Sequence, residues 1–560
     1  MSAARPGDEL VFLPLGGSGE IGMNLNAYGY GPPDDRKWII VDIGVTFGGP
    51  DQPGIDVILP DPGYLAERRE DILAIVLTHA HEDHIGAIGH LWPRFRTPIY
   101  ATPFTAYLVR EKLREKGLDT KAKVTVVPLG GQIELGPFDI RLITLTHSIP
   151  EPNGLAIKTP LGTVWHTGDW KIDPDPQIGE STDEVSVRAL GEDGVLAMVC
   201  DSTNVFVEGE AGSEADVRTA LAELIASKRG KVAVTAFASN VARVESAVKA
   251  GQMAGRSICL VGRSMHRIVG AAKSVGLLAD SPEFLSEDEA GHLAPEHVLY
   301  LCTGSQGEPR AALSRIAGGQ HRHVTLNEGD SVIFSSRVIP GNETAIFALY
   351  NQLEARGVEV ITDKHWPIHV SGHPARDELR QMYRWARPRI AVPVHGERRH
   401  IMEHARLALE LQTPQAVTPA NGDLIRLAPG EPETIDEVPS GRLYVDGAVT
   451  IDADDEALRD RKRMAQEGQI IVTMAVGAKK HSIVSGPEVR VRGLSAADEE
   501  DLETALEEIA EAAESAFNKL RAAERADSEA AEEAVMKAVR RAADRAWGKR
   551  PVVEVVILEV

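Results

Sequence analysis

Cysteine is scarce in this 560-residue chain: Cys200, Cys259 and Cys302 lie far apart and are odd in number. They make no disulfide framework and have no metal-type spacing, so they read as buried thiols of a reducing cytosol. No apolar run is long enough to span a bilayer, and no membrane association is expected. The first residues, Met1-Ser-Ala-Ala-Arg-Pro-Gly-Asp-Glu-Leu10, carry neither a basic flank nor an apolar stretch, so no secretory signal is expected and the expected location is the cytoplasm. Positive charge is also in deficit, with a formal net charge of −23. That weighs against a nucleic-acid partner, because phosphate is usually held by clustered Lys and Arg. Much of the excess sits in the run from Ala496 to Glu511 and its continuation, however, so an acidic tail can coexist with a different cleft elsewhere. Global charge does not decide the partner.

What is present is ordinary for a globular protein: 43% hydrophobic and 26% charged residues. The length exceeds one compact core, and two to four domains are expected. Residues 9 to about 210 read as short apolar strands between Gly/Pro turns: Trp38–Asp42, Ile72–Leu77, Ile140–Leu145, Thr163–His166 and Val195–Cys200. Phe104–Lys116 is the clearest helix there. From Ser213 the texture changes to alternation, with helix Val217–Ser227, strand Lys231–Thr235, helix Val241–Ala250 and strand Ser257–Val261. That alternation predicts an α/β unit with a parallel sheet. Strand-and-loop texture resumes near Val358–Ile361, with histidines at 365, 369, 373 and 395, so the α/β unit reads as an insertion. After Arg442 a further unit has strand Gln469–Met474, two helices and strand Val552–Glu559. Its first helix carries Leu502, Leu506, Ile509, Ala513 and Phe517 on one face. The expected boundaries are 1–210 and 358–442 for one split domain, 211–357 for the insertion, 443–459 for a linker and 460–560 for a small α/β domain.

The sharpest feature is Thr78-His79-Ala80-His81-Glu82-Asp83-His84-Ile85-Gly86, directly after an apolar strand. A strand end fixes the loop that follows, so His79 and His81 can converge while Asp83 and His84 enter the next turn. Imidazole nitrogen and carboxylate oxygen suit Zn²⁺ and accept Mn²⁺. Four such groups in six residues exceed what one ion easily takes, so two divalent metal ions are expected. Further candidates also end strands: His147, Asp169 after Trp165-His-Thr-Gly168, and His395 after Ile390-Ala-Val-Pro-Val394. A lone histidine after a strand is more often structural; here the order in which they occur argues for ligation. The competing Gly17-Ser-Gly19-Glu-Ile-Gly22 matches a dinucleotide fingerprint with Asp42 at the ribose position. Met23 to Pro33 cannot be the helix that motif requires, so it reads as a glycine-rich turn.

The order His-x-His-x-Asp-His, His, Gly-Asp, late His resembles the metallo-β-lactamase fold over most of residues 9–445. Cys200-Asp201-Ser-Thr-Asn204 before the insertion, and His369-Val370-Ser371-Gly372-His373-Pro374 after it, resemble motifs of the β-CASP nucleases. Leu15–Asn24, Ala236-Phe-Ala238-Ser239-Asn240-Val-Ala-Arg243, Gly262-Arg-Ser-Met265 and Cys302-Thr-Gly-Ser-Gln-Gly-Glu-Pro309 are similar to the bacterial ribonuclease J family, C-terminal domain included.

The resemblance implies a helix–sheet–sheet–helix sandwich with an inserted β-CASP domain. It implies one metal on His79, His81 and His147, a second on Asp83, His84 and His395, and Asp169 bridging them. Two close cations supply activated water and neutralise phosphate charge. His373 would be the general acid, oriented by Asp201, with Asp83 also in the catalytic set. Ala238, Ser239, Asn240, His369, Val370, Ser371, Gly372 and His373 would form a 5′-phosphate pocket. Arg263, Arg310 and Arg337 are candidate phosphate contacts, each equally readable as a surface charge. Pro374, after His373, biases that residue towards extended backbone. The implied activity is 5′→3′ exonuclease action preferring a 5′-monophosphate, with endonuclease action, in rRNA processing and mRNA decay. RNA is the implied partner, with a homodimer or homotetramer and other RNA-decay proteins as further associations. A thioester or lactone hydrolase would not need the insertion, a non-catalytic scaffold would have lost ligands, and a DNA-directed enzyme is separable by assay.

Overall fold

The computed structural model describes residues 4–339 and 341–560. The chain divides into two compact units, one of Met1–Thr46 with Leu59–Gly441, the other of Phe47–Ile58 with Arg442–Val560. The excursion Phe47–Ile58 is rich in Gly and Pro (Gly48, Gly49, Pro50, Pro53, Gly54), as an ordinary loop is, and nothing in its sequence marks it as part of the second unit.

The first unit is built on two facing sheets. One has eight strands in the order Glu433–Glu437, Asp423–Ala428, Glu9–Gly16, Leu25–Gly31, Lys37–Val41, Ile72–Val76, Ile99–Ala101, Val124–Val126. The other has seven: Gln132–Leu135, Phe138–Thr144, Asn153–Thr159, Gly162–His166, Val195–Asp201, Ile390–Val394, Gln415–Ala416. Their inner faces share a core in which Phe12, Tyr28, Val41 and Val76 meet Leu142, Ile157, Val199 and Val392. Residues alternate across a strand, and strand Val195–Asp201 uses both faces. Ala197 and Val199 enter the inter-sheet core, whereas Met198 and Cys200 pack outward with Met382, Tyr383 and Trp385. Burial on both sides explains why this strand is apolar throughout rather than alternating. Helices Arg376–Ala386 and Arg398–Glu410 cover that outer face, and helix Pro103–Glu115 packs on the edge strands of the first sheet. The layers run helix, sheet, sheet, helix.

Between Asp201 and Ile390 the chain forms a five-stranded, wholly parallel sheet in the order Ser257–Val261, Val298–Cys302, Val232–Thr235, Ser331–Phe334, Glu359–Ile361. Parallel neighbours need helical crossovers, and these are the helices anticipated from the alternation. The segments Ala236–Asn240, Arg263 onward, Thr303–Arg310 and Ser335–Arg337 all leave the carboxyl ends of its strands, where ligands of open α/β sheets bind.

In the second unit, strand Gln469–Val476 lies between Ile483–Arg492 and Val552–Glu559. Its alternate residues Ile470, Val472, Met474 and Val476 are buried with Ile509, Phe517, Val535 and Val539 of helices Glu499–Asn518 and Ser528–Trp547. The first helix buries Ala505, Ile509, Ala513 and Phe517, so Leu502 and Leu506 stand at the margin of the expected face. The buried row has a spacing of four, the ridge by which helices commonly interdigitate. Among the described residues no helix is long and apolar enough to cross a membrane.

Candidate metal centre

Strand Ile72–Val76 is paired in parallel with Lys37–Val41 on one side and Ile99–Ala101 on the other. The end of such a strand is held on both flanks, and it delivers Thr78 and His79. A single helical turn, Glu82–Ile85, with His81 as its N-cap then carries Asp83 and His84. The turn lies close to Gly44: a Cβ there would sit 1.7 Å from the Asp83 carbonyl oxygen, so no other residue fits. His147, Asp169 and His395 follow the ends of strands Phe138–Thr144, Gly162–His166 and Ile390–Val394, and Asp201 closes Val195–Asp201.

These strand ends converge. Ligand-type atoms of His79, His81, His147 and Asp169 lie within 4.8 Å of one another, as do those of Asp83, His84, Asp169 and His395. His81 Nδ1 is 3.1 Å from His79 Nε2 and 3.0 Å from His147 Nε2. Asp169 Oδ2 is 3.9 Å from His79 Nε2, 3.8 Å from His147 Nε2 and 3.2 Å from His84 Nε2. It is therefore common to both groups. His84 Nε2 and His395 Nε2 stand 3.5 and 3.1 Å from Asp83 Oδ2. Metal–nitrogen bonds of about 2.0–2.1 Å in a tetrahedron imply donor–donor edges of roughly 3.3 Å, so these donor sets fit divalent ions.

The other nitrogen of most of these rings is engaged by the protein. His79 Nδ1 donates to Thr78 Oγ1 (3.0 Å), His84 Nδ1 to Asp42 Oδ2 (2.7 Å), His147 Nδ1 to the Gly372 carbonyl (2.5 Å) and His395 Nδ1 to Thr203 Oγ1 (3.0 Å). Such outer contacts fix the tautomer and turn the remaining lone pair inward. Burial, together with the neighbouring histidines, holds His79 and His147 neutral, and brings His81 down to about 4. Burial opposes ionisation of Asp83 and Asp169, but the surrounding imidazoles outweigh it and keep both carboxylates charged. Burial also works against charge on His84 and His395, but the carboxylates around them, Asp169 foremost, prevail and raise both pKa values. These two rings must therefore give up a proton to ligate, whereas His79, His81 and His147 need not.

Beside this cluster His373 Nδ1 donates to Asp201 Oδ2 at 2.8 Å. Burial works against charge on His373, yet Asp201 prevails and its pKa lies above the usual histidine value. Asn204 Nδ2 donates to Ser371 Oγ (2.7 Å) and to the His373 carbonyl (3.0 Å). A Cβ on Gly372 would lie 2.9 Å from the His147 ring, so glycine lets this loop lie against His147.

The remaining predicted residues fall in two places. His369, Val370 and Ser371 precede His373 on one loop. His369 has a buried Nδ1 without a hydrogen-bond partner, and burial and Arg243 push its pKa down to about 3. Ala238, Ser239 and Asn240 lead into helix Val241–Met253. The Asn240 side chain is turned away from any exposed surface, donating to Glu214 Oε1 (3.2 Å) and accepting from the Arg243 backbone N–H (2.9 Å). Arg263, Arg310 and Arg337 lie at the carboxyl end of the parallel sheet, Arg263 as the first residue of helix Arg263–Ser274 and the other two on separate loops.

Sequence reasoning missed three contributors. Asp42 was weighed only as a ribose ligand, but it accepts from His84, from Thr78 N–H (2.8 Å) and from Thr78 Oγ1 (2.8 Å). The signal was a carboxylate closing the apolar run Trp38-Ile-Ile-Val-Asp42. Thr203 is the second. The third is the glycine loop: Ser18–Gly19 pairs with Gly396–Glu397, and the Gly17 carbonyl accepts from His395 N–H at 2.6 Å. What reads as a free turn seats His395.

A helix–sheet–sheet–helix sandwich with His and Asp ligands at its strand ends, interrupted by a parallel α/β domain, defines a metallo-β-lactamase-type hydrolase of the β-CASP branch. Family models agree: a beta-lactamase superfamily domain matches residues 37–192, and a ribonuclease J beta-CASP domain matches 229–353. A Zn-dependent metallo-hydrolase RNA specificity domain matches 357–418, and a ribonuclease J C-terminal domain matches 456–560. Ribonuclease J of Sinorhizobium meliloti is 46% identical over 99% of this chain and 98% of its own length. That of Mycolicibacterium smegmatis is 38% identical over 98% and 96%. A crystal structure of a protein of unknown function from Enterococcus faecalis V583 superposes with a TM-score of 0.52 at 15% identity, covering 75% of this chain and all of that one, which speaks to the fold alone. The chain belongs to the ribonuclease J family. It is a metal-dependent ribonuclease.

Proposed function

We propose that the chain hydrolyses RNA phosphodiesters at two divalent cations, by 5′→3′ exonuclease action that prefers a 5′-monophosphate and by endonuclease action, in rRNA processing and mRNA decay. The observation that carries the reading is Asp169 Oδ2, within 4 Å of imidazole nitrogens from both donor groups. His79, His81 and His147 would hold one ion and Asp83, His84 and His395 the other, with Asp169 between them. The bound ions supply activated water and offset phosphate charge. Zinc is the proposed metal, with manganese as the alternative the same donors accept.

His373 and Asp201 act on the leaving group. Asp201 holds Nδ1, so Nε2 is the atom that hands a proton to the departing 3′ oxygen as water adds to phosphorus and the P–O3′ bond breaks. The products are a 5′-phosphate on the downstream piece and a 3′-hydroxyl. Ala238, Ser239, Asn240, His369, Val370, Ser371 and Gly372 would bind the 5′-terminal phosphate, largely with neutral donors. The proposed division is 1–210 and 358–442 for the catalytic domain, 211–357 for the β-CASP domain, 443–459 for a linker, and 460–560 for a domain that assembles dimers or tetramers. The proposed setting is the cytoplasm, with other RNA-decay proteins as associates.

The decisive experiment compares 5′-monophosphorylated, 5′-triphosphorylated and circular RNA for the wild type, His81→Ala and Ser371→Ala, with metal content measured in parallel. His81→Ala should lose metal and turnover with its fold intact; full activity would overturn the metal assignment. Ser371→Ala should weaken the 5′-monophosphate preference and spare cleavage of circular RNA; equal loss on both would overturn the pocket.

A further inference from the structure

A ladder of four buried charges runs through the first unit. Lys171, two residues beyond Asp169, places Nζ 2.8 Å from Asp173 Oδ2 and donates to the Gly212 carbonyl at 3.0 Å. Asp173 Oδ2 also accepts from Glu214 N–H (2.9 Å), and its Oδ1 accepts from Ser213 Oγ (2.7 Å). Glu214 in turn accepts from Arg243 Nε and Nη2 at 3.0 and 2.9 Å, a bidentate pair. Arg243 Nη1 reaches the Ser335 carbonyl (2.7 Å), Ser335 Oγ (2.8 Å) and the Ile368 carbonyl (3.2 Å). All four side chains are at most 3% exposed.

Each end of the ladder touches something that matters. At the first, Lys171 N–H donates to the Thr146 carbonyl (2.7 Å) and Asp173 N–H to Thr146 Oγ1 (3.1 Å). Thr146 adjoins His147, so this end grips the loops bearing His147 and Asp169. At the other end, Arg243 and Ser335 both hold the carbonyl of Ile368, which adjoins His369; Ser335 Oγ donates to it at 2.6 Å. Glu214 also takes the Asn240 amide, and the Asn240 carbonyl oxygen caps the helix that carries Arg243.

Burying four charges is costly unless every one is paired. A hydrophobic patch of equal volume would hold two domains together as well, so stability alone does not explain the arrangement. Directional bonds to main-chain atoms at both ends do fix a distance. We propose that Arg243, with Glu214 and Ser335, is a positioning element that holds the 5′-phosphate loop at a set distance from the metal ligands. It gives the first phosphodiester its register without touching RNA. This inference rests on the 5′-phosphate pocket proposed above.

The test uses the full-length, metal-loaded enzyme with 5′-monophosphorylated linear RNA and circular RNA of the same sequence. Ser335→Ala removes one donor to Ile368 and one acceptor from Arg243 without leaving a charge unpaired. It should raise KM for the linear substrate about tenfold while kcat on the circle stays within about twofold. Arg243→Met should do the same more severely, and Arg243→Lys should recover part of the loss. Folding failure of Arg243→Met would leave Ser335→Ala to decide. Ser371→Ala separates the two readings. If Ser371→Ala reduces the 5′-monophosphate preference and Ser335→Ala does not, the positioning role is overturned and the pocket stands. If Ser371→Ala leaves the preference intact, the pocket itself falls and the positioning role with it. Equal losses on linear and circular RNA in Ser335→Ala would show a merely structural contact and overturn the inference.

Discussion

Asp42→Asn tests the outer shell of the centre most directly. Asp42 is fully buried and accepts three hydrogen bonds, from His84 Nδ1, Thr78 N–H and Thr78 Oγ1. Its backbone is left-handed, φ 64°, a region asparagine tolerates better than alanine, so the substitution spares the chain path. The amide oxygen can keep the bond from Thr78 N–H. Its NH₂ group then faces His84 Nδ1, where a donor must meet a donor or the ring must change tautomer. A ring that moves its proton to Nε2 loses the lone pair with which it would bind a cation held jointly with Asp83 and Asp169. Losing an outer-shell partner of a ligating histidine costs about ten- to a hundredfold in metal affinity or activity, which is about 1.4–2.7 kcal/mol. The assay is a competitive metal titration against a chromophoric chelator, with kcat/KM on 5′-monophosphorylated RNA and near-ultraviolet circular dichroism as the fold control. Asp42→Asn should weaken one of two metal equivalents and leave the other. Affinity for both equivalents within twofold of wild type would refute the argument that Asp42 orients His84.

His373→Gln should keep its metal content and lose about 10²–10⁴-fold in kcat, read by single-turnover cleavage; a loss under tenfold would remove it as the acid. Gly44→Ala should abolish metal binding because its Cβ has no room beside Asp83 O, whereas Gly270→Ala, with nothing within 4 Å, should be neutral or slightly stabilising in thermal unfolding. Chelation should lower the melting temperature, since ions bound only by the native state contribute about 2.7 kcal/mol at a hundred times their dissociation constant. Burial opposes ionisation of Glu214, but Arg243 prevails and its folded pKa lies below the ordinary value. Its contribution is therefore complete above the unfolded pKa and lost as pH falls through the folded one. Urea midpoints compared between neutral pH and about pH 3, below the ordinary Glu value, should fall more steeply for the wild type than for Glu214→Gln.

Legibility in the sequence followed how local each feature is. The strand before His79 was visible because burial on both faces leaves an unbroken apolar run, and the histidines after it stand within six residues. Val195–Cys200 was visible for the same reason, and so was the parallel sheet of the insertion, whose helices and strands alternate at regular spacing. Asp42 was not legible as a partner of His84, because the contact arises from strand pairing that brings residue 42 beside residue 78. The same holds for Gly17 and His395, some 380 residues apart, and for Ser335 and Ile368. Phe47–Ile58 looked like any other loop, since nothing in its composition says that it clusters with Arg442–Val560. In the helix from Glu499, periodicity gave the correct stripe, but which leucines fall at its edge depends on how the helix crosses its neighbour.

The charge of the centre bears on the choice of substrate more than the charge of the chain. Asp42, Asp83, Asp169 and Asp201 stand together, and their ion-pair partners are all imidazoles. Four carboxylates in a site of low effective dielectric repel one another strongly. Burial lowers the pKa values of His84, His395 and His373, but these carboxylates raise them above the usual histidine value, so the three rings offset part of that charge as long as they hold their protons. Two divalent cations bring four positive charges against four negative ones, which leaves the ligated centre near neutrality. A phosphodiester then adds one negative charge, and a protonated His373 beside it adds the compensating positive one. On this accounting an overall charge of −23 is no obstacle to binding a polyanion, because the field at the reacting phosphate is set within a few ångströms. It also predicts a sharper dependence on divalent cation concentration than on monovalent salt. The opposite ranking, measured as the slope of kcat/KM against each, would mean that lysines and arginines outside this centre carry most of the attraction for RNA.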